Sequence, residues 1–320
     1  MGIQSKIMKQ TKGEAVKTDN ENMDVLMKAI KAVHSVAVNS SSVTEADLTR
    51  QRKEQEFFSK LITPSSKINV EKFNVGEVPA EWIKPDFAHG DRAIILYCHG
   101  GGYTCGNLNL ARILAGKMAL STGLEVLSFA YRLAPENPYP AAIEDALEVW
   151  NYLMYMGFGA SDIILAGDSA GGNLALELCI NLKNNGRMIP RGLILMSPWT
   201  DMTMSGQSYK TCKEKDPTIT AEYIDAVREA YAGKKAKFER PEYSPLFADL
   251  KNMPPAIIQV GSNEVLRSDS EMLAKKLRES GSFVRIEVYK GGWHVFQQMP
   301  LGISARAMDE IRGFTDSIIR

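Results

Sequence analysis

The stretch Ile163-Ile164-Leu165-Ala166-Gly167-Asp168-Ser169-Ala170-Gly171-Gly172-Asn173-Leu174-Ala175 passes from a short apolar run, through a turn of small residues, into a segment of helical character. Residues 163–166 suit a strand buried on both faces, and residues 172–184 suit a helix packed against it. Between them lies the pattern G-x-S-x-G at 167–171. A serine on so sharp a strand-to-helix turn is held in a strained backbone conformation with its hydroxyl exposed. Small neighbours let the turn close, and the helix amino terminus favours developing negative charge. The bare pattern is common by chance, but a strand before it and a helix after it give it chemical meaning. Ser169 is therefore the candidate nucleophile.

The same rhythm continues outward. Residues 93–98, 124–130, 256–260, Gly192–Met196 and Val284–Tyr289 are further short apolar runs. Helical patterns fill most of the intervals, at 110–121, Ala141–Tyr155 and 270–279. Apolar strands alternating with helices predict an α/β fold whose mostly parallel, twisted sheet is flanked by helices on both faces. Two runs upstream, 68–73 and 78–83, alternate polar with apolar and suit an antiparallel edge. One interval breaks the pattern: residues 201–249 separate two strands and hold a helical stretch at Ala221–Ala232. Ahead of every strand, residues 24–58 repeat apolar positions at helical spacing, and Thr44 before Glu45, Ala46 and Asp47 reads as the capped start of a helix. We therefore divide the chain into an N-terminal helical cap segment (1–60) and a catalytic domain (61–320), with a cap insertion within 201–249. Both additions are expected over the carboxyl edge of the sheet, where α/β enzymes bind ligands.

A second motif, His99-Gly100-Gly101-Gly102, directly follows the strand at 93–98. Consecutive glycines let backbone N–H groups converge on one oxygen with no side chain in the way. Alone the run could equally be a turn or an anion-binding loop. Upstream of a serine elbow it reads as an oxyanion hole, with N–H groups from Gly101, Gly102 and Ala170. Only four histidines are present. His34 lies in the amino-terminal helical pattern, His89 in a polar turn, and His99 in the glycine loop, whose order it serves. His294 remains, in a loop after the last apolar strand, where a general base falls when the chain order is serine, acid, histidine. The acid belongs on the loop after residues 256–260, which offers Glu264 and Asp269. Asp269 also suits a helix cap, and Glu264, the first after the strand, is favoured.

Composition narrows the rest. Of 320 residues, 44% are hydrophobic and 24% charged, an ordinary globular balance. Lys+Arg and Asp+Glu both number 38, so no basic surplus points to nucleic acid or to an anionic membrane. The four cysteines form no metal-ligand pattern, and Cys98 and Cys179 sit in apolar runs as small core residues. The polar amino terminus lacks the apolar stretch of a signal peptide, Lys6 spoils the myristoylation pattern, and no run approaches a membrane span. A cytoplasmic, reduced protein is expected.

Taken together, HGGGY at 99–103, YRLAPENPYPAAIEDA at 131–146, GDSAGGNLA at 167–175, SPW at 197–199, SPLFADL at 244–250 and the GGWH element resemble the hormone-sensitive-lipase family of esterases, the microbial family IV. The resemblance runs from about residue 93 to the carboxyl terminus. It implies an α/β-hydrolase fold with a helical cap and a carboxylic-ester hydrolase acting on small acyl esters. It also implies no metal or organic cofactor, and commonly a homodimer. The family's acid motif is Asp-Pro-Leu where this chain has Glu264-Val265-Leu266, so the resemblance too places the acid at Glu264. It marks Arg132, Glu136 and Asp145 as residues that tie loops together. Plant gibberellin receptors resemble the same family but lack a working triad histidine, so His294 argues against a non-catalytic receptor. Amidase or peptidase activity is the rival within enzymes. A roofed site is expected to take short- to medium-chain acyl groups.

Overall fold

The apolar runs become eight strands, β1 (Ile68–Val75), β2 (Val78–Pro85), β3 (Ile94–Cys98), β4 (Glu125–Phe129), β5 (Ile163–Asp168), β6 (Gly192–Met196), β7 (Ala256–Gly261) and β8 (Val284–Tyr289). They form one sheet in the order β1-β2-β4-β3-β5-β6-β7-β8. The pair β1–β2 and the pair β2–β4 are antiparallel; every other pairing is parallel. This is the α/β-hydrolase sheet, with the antiparallel edge where alternation placed it. The structure is a computed structural model and describes residues 44–59, 65–90 and 92–319. The expected amino-terminal helical pattern therefore lies outside the described residues up to position 43.

The helices are α1 (Glu45–Ser59), α2 (Leu108–Thr122), α3 (Ala141–Tyr155), α4 (Ala170–Asn184), the single turn α5 (Ser208–Thr211), α6 (Ala221–Ala232), α7 (Arg267–Glu279) and α8 (Gly302–Ile319). Side chains alternate across a strand, and the core divides accordingly. Ile94, Leu96 and Cys98 pack on one face with residues of α3, α4 and α7, including Trp150, Leu174 and Leu273. Ile95 and Tyr97 pack on the other with residues of α2 and α8, including Leu114, Met118, Ile311 and Phe314. Helix α8 lies outside the sequence reading, although Ala307, Met308, Ile311 and Phe314 keep helical spacing and are buried. Helix α1 starts as its cap predicts: the Thr44 hydroxyl donates to Asp47 Oδ2 at 2.7 Å, and the Asp47 N–H donates to Thr44 Oγ1 at 3.2 Å. Among the described residues no helix is long and apolar enough to cross a membrane. All four cysteines are buried and free.

The strand order sets the place of the site. From β3 the chain moves to β4 on one side, then returns to β5 on the other. Ligands of open α/β sheets bind in the crevice outside the carboxyl ends of such a pair. Residues 99–102 follow β3, and Ser169 follows β5.

Candidate active site

Ser169 sits at φ 54°, ψ −122°, between the end of β5 and the first residue of α4. That conformation is costly for a residue with a side chain and persists only where the surroundings over-determine it. Here they do. The Ser169 N–H donates to the Met196 carbonyl at 3.0 Å, and its carbonyl accepts from the N–H groups of Gly172, Asn173 and Trp199. Close approach demands the flanking glycines: a Cβ at Gly167 would strike the Gly171 carbonyl, and one at Gly171 would strike the carbonyl of Cys98.

The loop after β3 is pinned to this elbow by Asp168. Its Oδ1 accepts from the Tyr97 hydroxyl at 2.5 Å and from the Gly100 N–H at 2.9 Å. Burial pushes its carboxyl above the usual range, and those hydrogen bonds oppose the shift. Gly101 has φ 119° and its carbonyl accepts from the N–H groups of Thr104 and Cys105, folding the loop back on itself. A Cβ at Gly101 would strike the Cys105 carbonyl. Among the described residues, the N–H groups of Gly101, Gly102 and Ala170 have no acceptor. His99 is 3% exposed; its ring stacks on Tyr131 at 4.3 Å and its Nδ1 lies 2.7 Å from the Gly100 carbonyl. Burial depresses its pKa to about 4, so it remains neutral at ordinary pH and serves the loop's shape.

His294 lies on the loop after β8, with Nε2 2.9 Å from Ser169 Oγ. Its Nδ1 faces Glu264 Oε1 at 3.9 Å. At that distance the two are not hydrogen-bonded, and among the described residues both buried atoms lack a hydrogen-bond partner. The other Glu264 oxygen is held: Oε2 accepts from the Ser197 hydroxyl at 2.8 Å and the Gly261 N–H at 3.0 Å. Ser197 Oγ in turn accepts from the Val295 N–H at 3.1 Å, so one hydroxyl bridges the loops bearing Glu264 and His294. Burial alone would lower the pKa of His294, but the Glu264 carboxylate, with Asp216 and Asp168 behind it, raises it above its ordinary value. Burial raises the Glu264 carboxyl, and His294 opposes that shift. Asp269 stands elsewhere, in the first turn of α7. Its Oδ2 accepts from the N–H groups of Thr200 and Asp201 at 3.0 and 2.9 Å, holding the start of the insertion.

A cavity of about 400 Å3 opens over Ser169. Its floor is the loop after β3, Ser169 and His294; Gln51, Glu54 and Gln55 of α1 and Thr218, Ile219 and Tyr223 of the insertion form walls. Arg52 fastens α1 there, donating to the carbonyls of Thr104 and Ala134 and making two 3.0 Å bonds to Glu136.

Residues 95–298 match the family described as having the alpha/beta hydrolase fold. The chain belongs to the α/β-hydrolase family. This hydrolase is similar to a protein of Acinetobacter venetianus named esterase, at 36% identity over 70% of this chain and 75% of that one. It is similar also to an acetyl-hydrolase of Streptomyces hygroscopicus, at 35% identity over 76% of this chain and 79% of the relative. A crystal structure of an esterase from the bacterial hormone-sensitive lipase family superposes with a TM-score of 0.85 at 32% identity, covering 95% of this chain and all of that one. The α/β-hydrolase described here is a carboxylic-ester hydrolase of that group.

Several residues of the hydrolase that shape the site were quoted within motifs without a role. Asp168 and Asn173 flank the nucleophile turn. Asn173 joins three motifs, accepting from the Tyr103 hydroxyl at 2.9 Å and donating to the carbonyls of Trp199 and Tyr243. Ser197 opens the SPW motif, and only its contact with Glu264 reveals what it does. Arg132 reaches Asp145 through its N–H at 2.7 Å and Nε at 2.9 Å, tying the loop after β4 to α3. Among the described residues no cluster of three His, Cys, Asp or Glu side chains could hold a metal ion.

Proposed function

We propose that the hydrolase cleaves short- to medium-chain acyl esters by nucleophilic catalysis, with Ser169 as nucleophile, His294 as general base and acid, and Glu264 as the carboxylate that orients and stabilises the imidazolium. The observation that carries this reading is the 2.9 Å approach of His294 Nε2 to the hydroxyl of a serine held at φ 54° beside three N–H groups without acceptors. His294 takes the serine proton as Oγ attacks the carbonyl carbon. The tetrahedral oxyanion rests on the N–H groups of Gly101, Gly102 and Ala170, which among the described residues are left without acceptors beside Ser169. His294 then protonates the leaving alcohol, and water repeats the sequence on the acyl-enzyme. The Glu264 Oε1 to Nδ1 gap of 3.9 Å closes as the imidazole becomes charged. A stoichiometric aryl phosphonate should label Ser169 and no other residue, read by peptide mass mapping; label on a different serine would sink the assignment.

The small cavity supports the acyl preference, and the name of the Streptomyces relative, an acetyl-hydrolase, agrees with it. Each methylene buried gains about 0.8 kcal/mol until the walls are met, after which overpacking costs roughly 1–3 kcal/mol. Across an aryl ester series, kcat/KM is expected to peak at about C4 to C6 and to fall steeply by about C10 to C12. A maximum at C14 or beyond, or a jump in rate on emulsified triglyceride, would make the enzyme a true lipase.

The pH dependence follows from His294. Only the neutral imidazole accepts the serine proton, and its pKa is raised above 6.5. Activity is therefore present above that raised value and is lost as pH falls through it. The acid limb of kcat/KM should titrate above 6.5; a limb well below it contradicts the electrostatics of the site.

A further inference from the structure

Asp216 comes from the insertion between β6 and β7 and is 3% exposed. Both of its carboxylate oxygens are engaged. Oδ1 accepts from the Thr218 N–H at 2.9 Å, the Thr218 hydroxyl at 2.7 Å and the Ile219 N–H at 3.3 Å. Oδ2 accepts from the Val265 N–H at 3.0 Å. Thr218 and Ile219 line the cavity over Ser169, and Val265 directly follows Glu264. A single carboxylate thus spans from the substrate wall to the turn that carries the acid. Its partners are neutral N–H and O–H donors, so they leave its charge uncancelled.

We propose that Asp216 is a positioning residue of the esterase, one that locks the Thr218–Ile219 wall to the Glu264 turn and adds a second negative charge at that turn. The proposal rests on the reading of Ser169, Glu264 and His294 as the triad. Three carboxylates favour the charged form of His294 against the effect of burial: Glu264 from the turn after β7, Asp216 from the insertion, and Asp168 from the end of β5. As Oγ attacks, the proton moves to Nε2 and positive charge grows on a ring in a water-poor site, where a fixed negative charge counts for more than in solution. The wall and the acid then share one anchor, so the loop that shapes the substrate pocket also sets where Glu264 stands.

Asp216→Asn tests this, because it keeps the side chain's size while removing the charge and replacing one acceptor with an NH2 group. With the charge gone His294 holds its proton less tightly. The acid limb of kcat/KM is expected to move to lower pH by about half a unit or more, with kcat on the plateau falling roughly tenfold. Asp216→Glu keeps the charge, and its limb should stay at the wild-type position. Thr218→Val removes one donor on the wall side and leaves the charge; KM should rise roughly threefold or more with the limb unmoved. A natively folded Asp216→Asn whose limb does not move, or Thr218→Val with unchanged KM, overturns the proposal. If Asp216→Asn does not fold, the Thr218→Val result decides. Glu264→Gln measured in the same series separates the two readings: if it stays active the triad assignment fails. If it is crippled while Asp216→Asn leaves the limb in place, only the role of Asp216 fails.

Discussion

Replacing Ser169 with alanine is expected to lower kcat by roughly 10⁶-fold, the scale on which loss of the nucleophile disables another serine hydrolase. The protein should fold as before. Ser169 protrudes into the cavity instead of filling the core, and its backbone is held by bonds from Met196, Gly172, Asn173 and Trp199 that alanine keeps. Residual hydrolysis above the water rate is expected from the three N–H groups alone, because an intact oxyanion site retains roughly 10³–10⁴ of catalysis without a working triad. The measurement pairs turnover of a C4 aryl ester with circular dichroism and thermal melting. A folded Ser169→Ala enzyme within tenfold of wild type ends the proposed mechanism.

Glu264→Gln is expected to cost about 10⁴ in kcat, the size of the loss when a triad aspartate becomes its amide in a serine protease. The amide cannot stabilise the imidazolium and can offer His294 a donor where an acceptor is needed. KM should change little, since Glu264 is absent from the cavity lining. Asp269→Asn is the matched control away from the proton path: its carboxyl group holds the N–H groups of Thr200 and Asp201. Weakening the hydrogen bonds of a buried side chain costs about 0.5–1.5 kcal/mol, so Asp269→Asn should lower Tm by a few degrees while leaving kcat within a few-fold. The opposite ranking of the two variants would move the acid from Glu264 to Asp269.

The sheet was legible because its central strands are buried on both faces and read as unbroken apolar runs, as in residues 94–98 and 163–166. Helix α8 was not legible although its apolar spacing is regular, because no strand follows it to mark it as one of the alternating units. Within the site, the elbow carried its own context, a strand and a helix on either side of five residues. Local position only tilted the choice towards Glu264 over Asp269, since both follow β7 within a few positions and both are wholly buried. Their surroundings differ only through residues brought from elsewhere, His294 for one and Thr200 and Asp201 for the other. Asp216 was illegible for the same reason. In sequence it is one acid within a charged insertion, and its contact with Val265 spans 49 positions.

The groups proposed to act with Ser169 stand at the ends of β3, β5, β7 and β8, whereas much of the cavity wall is borrowed from α1 and the insertion. Invention and maintenance are thereby assigned to different parts of the chain. Substitutions at Gln51, Glu54, Gln55 or Tyr223 are expected to reshape the cavity without touching the sheet that holds Ser169. A lineage carrying this architecture can explore new esters through its walls while the reacting centre is inherited unchanged. Asp216 marks the limit of that freedom, because there the wall and the reacting centre are joined by one side chain.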